Sequence, residues 1–178
     1  MPKGSSGANF EYSKMTVAVK DLGTQTGNEY IGVIDISAGT SIGGHLNTSN
    51  LPNEAALSRE QMLALTTASA NSLDMVHNHP SSSSFSGADL SFAEYAAVRG
   101  TTVMAHDGTR YVMVFAGGQR PSGQSIYDAW TQEFNRTQEP YADRIAAGII
   151  TYDQARKQHF HEINQTLAKN YGWTYRRY

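Results

Sequence analysis

Two imidazoles one residue apart, with a serine and an aspartate a short loop later, are the side chains of this protein best suited to chemistry. They fall in Leu73-Asp74-Met75-Val76-His77-Asn78-His79-Pro80, the serine-rich run Ser81 to Phe85, and Ser86-Gly87-Ala88-Asp89. Leu73 to Val76 reads as a short buried strand. Side chains alternate along a strand, so His77 and His79 leave its end on one face. Pro80 has no N–H to give to a ladder and stops the strand. Ser86 and Asp89 then open a helix-like stretch. Two imidazoles and a returning carboxylate make a three-donor set with a fourth position open, which is what a catalytic zinc requires. His-x-His alone is a weak signal. Ser86-x-x-Asp89 also fits a helix capping box, with aspartate in the Glu/Gln place. The polar set nevertheless sits at the end of an apolar strand, where functional groups collect.

Composition narrows the classes. The chain has 178 residues, enough for one domain or one domain with an appendage. It has no cysteine, so there is no disulfide, thiolate ligand or cysteine nucleophile, and any metal falls to histidine and carboxylate. With 14 basic against 16 acidic residues the net charge is -2, which argues against a nucleic-acid footprint as the main surface feature. No apolar run approaches the roughly 18 residues of a membrane span. Met1 to Gly7 lacks the apolar segment of a secretory signal and reads as a flexible lead or a cut point. The expected setting is cytoplasmic, or delivery as part of a larger phage or toxin protein.

The elements that must position these groups follow in order. Residues 1–14 are expected as a flexible lead, and Met15 to Val19 as a first strand. Leu22 to Asn28 is a turn region, Glu29 to Ile36 a central strand, and Thr40 to Leu46 a third strand with Gly43-Gly44 at a bulge. Ser58 with Gln61 predicts a capped helix to about Ala70. A second helix is expected from Gly87 to Arg99, then strands at Thr101–Ala105 and Arg110–Phe115 joined through an Asp-Gly turn. Residues 117–124 read as a linker between a catalytic domain at 15–116 and a helical extension at 125–178. In that extension Ile126, Trp130 and Phe134 form an apolar stripe, and Thr151 caps the last helix. Trp173 to Tyr178 reads as a basic aromatic tail. The order predicts an α+β fold with helices lying across a mixed sheet.

The central segment resembles the JAB/MPN (JAMM) zinc metalloprotease family, in the His-Asn-His-Pro form carried by RadC-like proteins. The pattern is a glutamate, then His-x-His-Pro, a short loop, and Ser-x-x-Asp, and it runs here from about Glu29 to Phe115. Glu29-Tyr30-Ile31-Gly32-Val33-Ile34 also matches the glycine and paired aliphatics that follow the glutamate in many members. Six residues separate His79 from Ser86, one fewer than is usual, so Asp89 must come back through a tighter loop.

The resemblance implies a cytidine-deaminase-like, JAB-type mixed sheet flanked by helices. It implies Zn2+ held by His77, His79 and Asp89, with Glu29 acting as catalytic acid/base through the metal's solvent ligand. Ser86 would donate to the oxyanion of a tetrahedral intermediate. The activity implied is that of a metallopeptidase, isopeptidase action included, on a peptide, protein or ubiquitin-like partner.

His106, beside an Asp-Gly turn, and His45, after Gly43-Gly44, could be outer partners of that site or solvated residues. His159 and His161 point about 200 degrees apart around a helix and cannot share a metal, so they read as surface or packing residues.

Two other classes stand beside this one. A toxin-like nuclease or phosphodiesterase would use His77 and His79, with His106 as an optional third group, as acid/base groups or metal ligands on RNA or DNA. The serine loop, the His-Asp-Gly turn and the basic tail are similar in pattern to domains at the ends of phage head-morphogenesis and polymorphic-toxin proteins. A non-catalytic binding module is the third, although such relatives usually lose the ligand set, which this chain keeps.

Overall fold

The computed structural model describes residues 6–44 and 46–178. Thirteen elements follow in order: α1 (Ser6–Thr26), β1 (Ile31–Asp35), β2 (Thr40–Ser41), α2 (Arg59–Thr67), β3 (Leu73–His79), α3 (Gly87–Ser91), a 3-10 turn (Phe92–Glu94), β4 (Val98–Ala105), β5 (Arg110–Val114), α4 (Gly123–Thr137), α5 (Glu139–Ala146), α6 (Tyr152–Tyr171) and β6 (Thr174–Arg177). The strands form one mixed sheet in the order β2-β1-β3-β4-β5-β6, in which β3 and β4 are parallel and the other neighbours antiparallel. The fold is mixed α+β, with the sheet flanked by helices.

The period of two along β3 divides the molecule. Leu73, Met75, His77 and His79 face the main core, with Val103, Ala105, Tyr111, Met113, Phe115 and the apolar faces of the later helices. Val76 and Ile34 face the other way and pack under Met15 and Val19 of α1. The strand expected at Met15–Val19 is therefore a helix. Tyr12, Met15, Val19 and Gly23 recur at helical spacing and form its packed stripe, while Val17 is 58% exposed. Residues 6–14, expected as a lead, make its first turns, and residues 1–5 lie outside the described residues. Gly32 of β1 gives α1 room: a Cβ there would lie 2.8 Å from Met15 Cε and from Leu46 Cδ2.

Other boundaries also move. The strand expected over Thr40–Leu46 keeps only two residues, because Gly43 and Gly44 take positive φ. The helix expected from Gly87 to Arg99 ends at Ser91, followed by one 3-10 turn. Arg120 accounts for the early stop: its guanidinium donates to the carbonyls of Ala93 (3.0 Å) and Tyr95 (2.9 Å), and Tyr95 is already extended. The capped helix at Ser58 and the β4–β5 hairpin fall close to expectation.

Residues 125–178 share the core of the sheet rather than standing apart from it. Ile126, Ile163, Leu167 and Trp173 are buried in the same cluster as Val103. Gly172, at φ 71°, closes α6 and turns the chain into β6, so the expected aromatic tail becomes a sixth strand paired with β5. The stretch read as a linker is bound to this corner, through Gln119 N–H to the Tyr171 carbonyl (2.8 Å) and Trp173 Nε1–H to the Gln119 carbonyl (2.8 Å). Among the described residues no helix is long and apolar enough to cross a membrane.

Candidate metal centre

Register builds the centre. Ile31 pairs with His77 across the antiparallel β1–β3 ladder, so the same register, continued past the end of β1, sets Glu29 opposite His79. Residues directly opposite share a face. His77 and His79 already share that face by alternation, with their rings 4.9 Å apart. Ser86 caps α3, and its side chain and that of Asp89 complete a reciprocal capping box. The cap turns the Asp89 carboxylate to the histidines: Oδ1 lies 3.2 Å from His77 Nε2 and Oδ2 3.4 Å from His79 Nε2. Glu29 Oε1 lies 3.9 Å from His79 Nε2. The shorter His79-to-Ser86 loop thus still delivers Asp89. One donor atom from each of Glu29, His77, His79 and Asp89 lies within 4.8 Å of the others.

The donor set fits a cation. Both ring nitrogens of His77 are buried; Nδ1 has no partner among the described residues, and Nε2, although 3.2 Å from Asp89 Oδ1, makes no hydrogen bond of good geometry, and a buried unpaired polar atom costs about 1–3 kcal/mol. A cation would give one of them a partner. His79 has its Nδ1 3.0 Å from the Ser83 carbonyl. A carbonyl only accepts, so Nδ1 carries the hydrogen and the neutral ring offers its Nε2 lone pair towards Asp89 and Glu29. The four residues could hold a metal ion.

Burial and charge compete here. Burial pushes the Glu29 carboxyl up, against the pull of His77 and His79. Burial also opposes ionisation of Asp89, but the two histidines outweigh it and hold its carboxyl well below the usual range. Burial works against the charge on His79, yet Asp89, then Glu29 and the Ser83 carbonyl, more than offset it and lift the imidazole to about 9.

A pKa raised from 6.5 to about 9 gives the metal-free protein stability that is fully present below 6.5 and lost as pH rises through 9. A metal must displace that proton, so its binding changes in the opposite direction and weakens as pH falls below about 9. Thermal melts of chelator-treated protein and zinc titrations across pH 6–9 are expected to show these opposite trends.

The other candidates are distributed differently. Ser86 Oγ–H donates to Asp89 Oδ2 at 2.8 Å, and Ser86 N–H donates to the same oxygen at 2.6 Å. Ser86 orients the carboxylate here, and an oxyanion role would require its hydroxyl to turn away from Asp89. His106 does not face the four donors. Its Nε2 lies 3.0 Å from Asn78 Nδ2, on the α1 side of β3. Burial lowers its pKa, followed by the charges of His79 and Lys20. His45 lies outside the described residues. His159 is packed among Phe134 and Tyr141, with Nε2 2.7 Å from Thr137 Oγ1, and His161 Nδ1 lies 2.8 Å from the Tyr175 hydroxyl.

Asn78 is a residue that the motif alone leaves without a role. Its Oδ1 accepts from Tyr30 N–H (2.8 Å) and its Nδ2 donates to the Asn28 carbonyl (3.0 Å), so it clamps the main chain on both sides of Glu29. Gly23 of α1 leaves room for this clamp, since a Cβ there would lie 2.7 Å from His106 Nε2 and from Asn78 Cγ. Asn78→Ala is expected to cost about 2–3 kcal/mol, through partners left unpaired. Zinc binding should persist, because the histidines occupy the other face. A calorimetric melt and a zinc count on the same sample check this.

The serine run has support of the same kind. Asn164 Nδ2 donates to Ser84 Oγ (3.1 Å) and to the Phe85 carbonyl (2.9 Å), and the Tyr175 hydroxyl lies 2.8 Å from Ser84 Oγ. These long-range partners fix the loop that presents the Ser83 carbonyl to His79. No family model, no curated protein and no solved structure matches the chain.

Proposed function

We propose that the protein is a zinc-dependent hydrolase of the JAB/MPN type that cuts a peptide or isopeptide bond with a water nucleophile. The observation that supports this best is the meeting of Glu29, His77, His79 and Asp89 from three separate segments. His77, His79 and Asp89 would hold the ion, as the resemblance implies, and Glu29 would stay free of it. Zinc held there would supply a Lewis acid that lowers the pKa of water at its open position to about 7.

Glu29 is the group placed to move protons. Burial raises the pKa of its carboxyl, the direction that suits a group which must take a proton and return it. Glu29 Oε takes a proton from the attacking water. It then gives that proton to the amine nitrogen as the carbon–nitrogen bond breaks. Asp89, held by Ser86, keeps its oxygens turned to the imidazoles, and the Ser83 carbonyl keeps His79 in the tautomer that exposes Nε2.

A nuclease reading would rest on His77 and His79 without the optional His106, whose Nε2 lies against Asn78 on the other side of β3. A protein or peptide partner, ubiquitin-like ones included, follows from the hydrolase reading. The proposed setting is cytoplasmic, or delivery within a larger phage or toxin protein.

The test is cleavage of a mixed peptide and isopeptide library by untreated protein. Cleavage should stop when the ion is chelated and return with zinc. Persistent cleavage in excess chelator, or no product from any bond type with zinc bound, would remove the hydrolase reading.

A further inference from the structure

The cleft over the four donors has a volume of about 510 Å³, and residues from the loop before α2, from the serine loop with α3, and from α6 line it. Its charges are uneven. Glu29 and Asp89 belong to the donor set, and Glu54 adds a third carboxylate. Among the described lining residues the one lysine or arginine is Arg156, half-buried on α6.

Several arginines are tied to a neighbour: Arg99 to Asp74, Arg120 to carbonyls, and Arg136 to Glu133. Arg156 has no ion pair and no hydrogen bond among the described residues. Its guanidinium carbon lies over the Phe160 ring, 5.2 Å from the centroid. Phe160 is itself fixed edge-on against Trp130, at 4.8 Å. A planar fork resting on an immobile ring has little freedom left for binding to cost, and its N–H edge matches a carboxylate in two-point geometry.

We propose that Arg156 is a specificity-determining residue that selects substrates with a carboxylate next to the bond to be cut, seated on the α6 wall of the cleft. This rests on the hydrolase reading for what the cleft does, but binding alone can test it. The carboxylate can come from a free C-terminus or from an acidic side chain. Glu54 and Glu29, which repel each other, disfavour the same group on their own part of the cleft.

The experiment titrates the zinc-loaded full chain with three N-acetylated tripeptides: Gly-Gly-Gly as free acid, Gly-Gly-Gly as amide, and Gly-Asp-Gly as amide. The free acid, the aspartyl peptide or both are expected to bind about tenfold tighter than the neutral amide. Which of the two does so identifies the carboxylate's source. Arg156→Gln should erase the difference, Arg156→Lys should keep part of it, and Arg156→Glu should disfavour both acids. Equal binding of acid and neutral peptides to the unmodified protein overturns the inference. So does a preference that survives Arg156→Gln, which binding to the zinc ion alone would give. Cleavage of the same peptides is scored separately. An acid preference that depends on Arg156, without cleavage, would count against the hydrolase reading and not against this inference.

Discussion

His77→Ala/His79→Ala protein is expected to hold no zinc, against about one ion per chain in the unmodified protein. Both imidazoles come from one face of β3, and Asp89 with Glu29 cannot replace two neutral nitrogen donors. The loss should register in stability as well. An ion present at about 1,000 times its dissociation constant stabilises the folded state by roughly 4 kcal/mol. In a domain of this size that is about 8–16 °C in melting temperature. The double variant should melt without response to added zinc. Histidine substitution is a cleaner probe than Asp89→Ala, because Asp89 also completes the cap of α3. Full zinc retention in the double variant would end the metal reading.

Glu29→Gln separates chemistry from metal binding. Gln keeps the shape and the contacts but cannot take or return a proton. Turnover is expected to fall by about 100- to 10,000-fold, the usual contribution of a positioned acid/base group. Zinc content should stay near that of the unmodified protein, since Glu29 lies 3.9 Å from His79 Nε2 and is not needed to complete a set of two imidazoles and one carboxylate. Undiminished turnover in this variant would remove Glu29 from the mechanism.

Where signals were local, the reading of residues matched the architecture. Apolar Leu73 to Val76 ending at Pro80, the cap at Ser58 with Gln61, and the Asp-Gly hairpin each depend on neighbours a few residues apart. The placing of His77, His79 and Asp89 was legible for the same reason, whereas Glu29 was legible only through the family resemblance, because its partner strand is remote in sequence. Strand alternation sets the histidines, a cap sets Asp89, and one antiparallel register sets Glu29.

The remainder depends on distant partners, or on a helical period carried by residues of strand type. Thr16-Val17-Ala18-Val19 has the residue types of a strand, but Tyr12, Met15, Val19 and Gly23 carry the helical spacing that prevails. The early end of α3 is enforced by Arg120, which is remote in sequence. Thr174 to Arg177 has almost no apolar pattern, and its place as a strand comes from β5. The Asn78 clamp and the Ser83 carbonyl escaped too. The first is side-chain geometry on the opposite face of β3, and the second is a main-chain atom that any residue would supply.

The bonds from Asn164 and Tyr175 to Ser84 and Phe85 bear on how this protein can be divided. A version cut at the glycine-rich turn would retain every motif residue and still lose the outer support of the serine loop, with Ser84 and the Phe85 carbonyl stripped of partners. His79 would then lose its anchor before any ligand had been changed. The smallest unit able to assemble the four-donor centre is accordingly much larger than the motif, and a search for dispensable sequence at this end should meet collapse of the centre first.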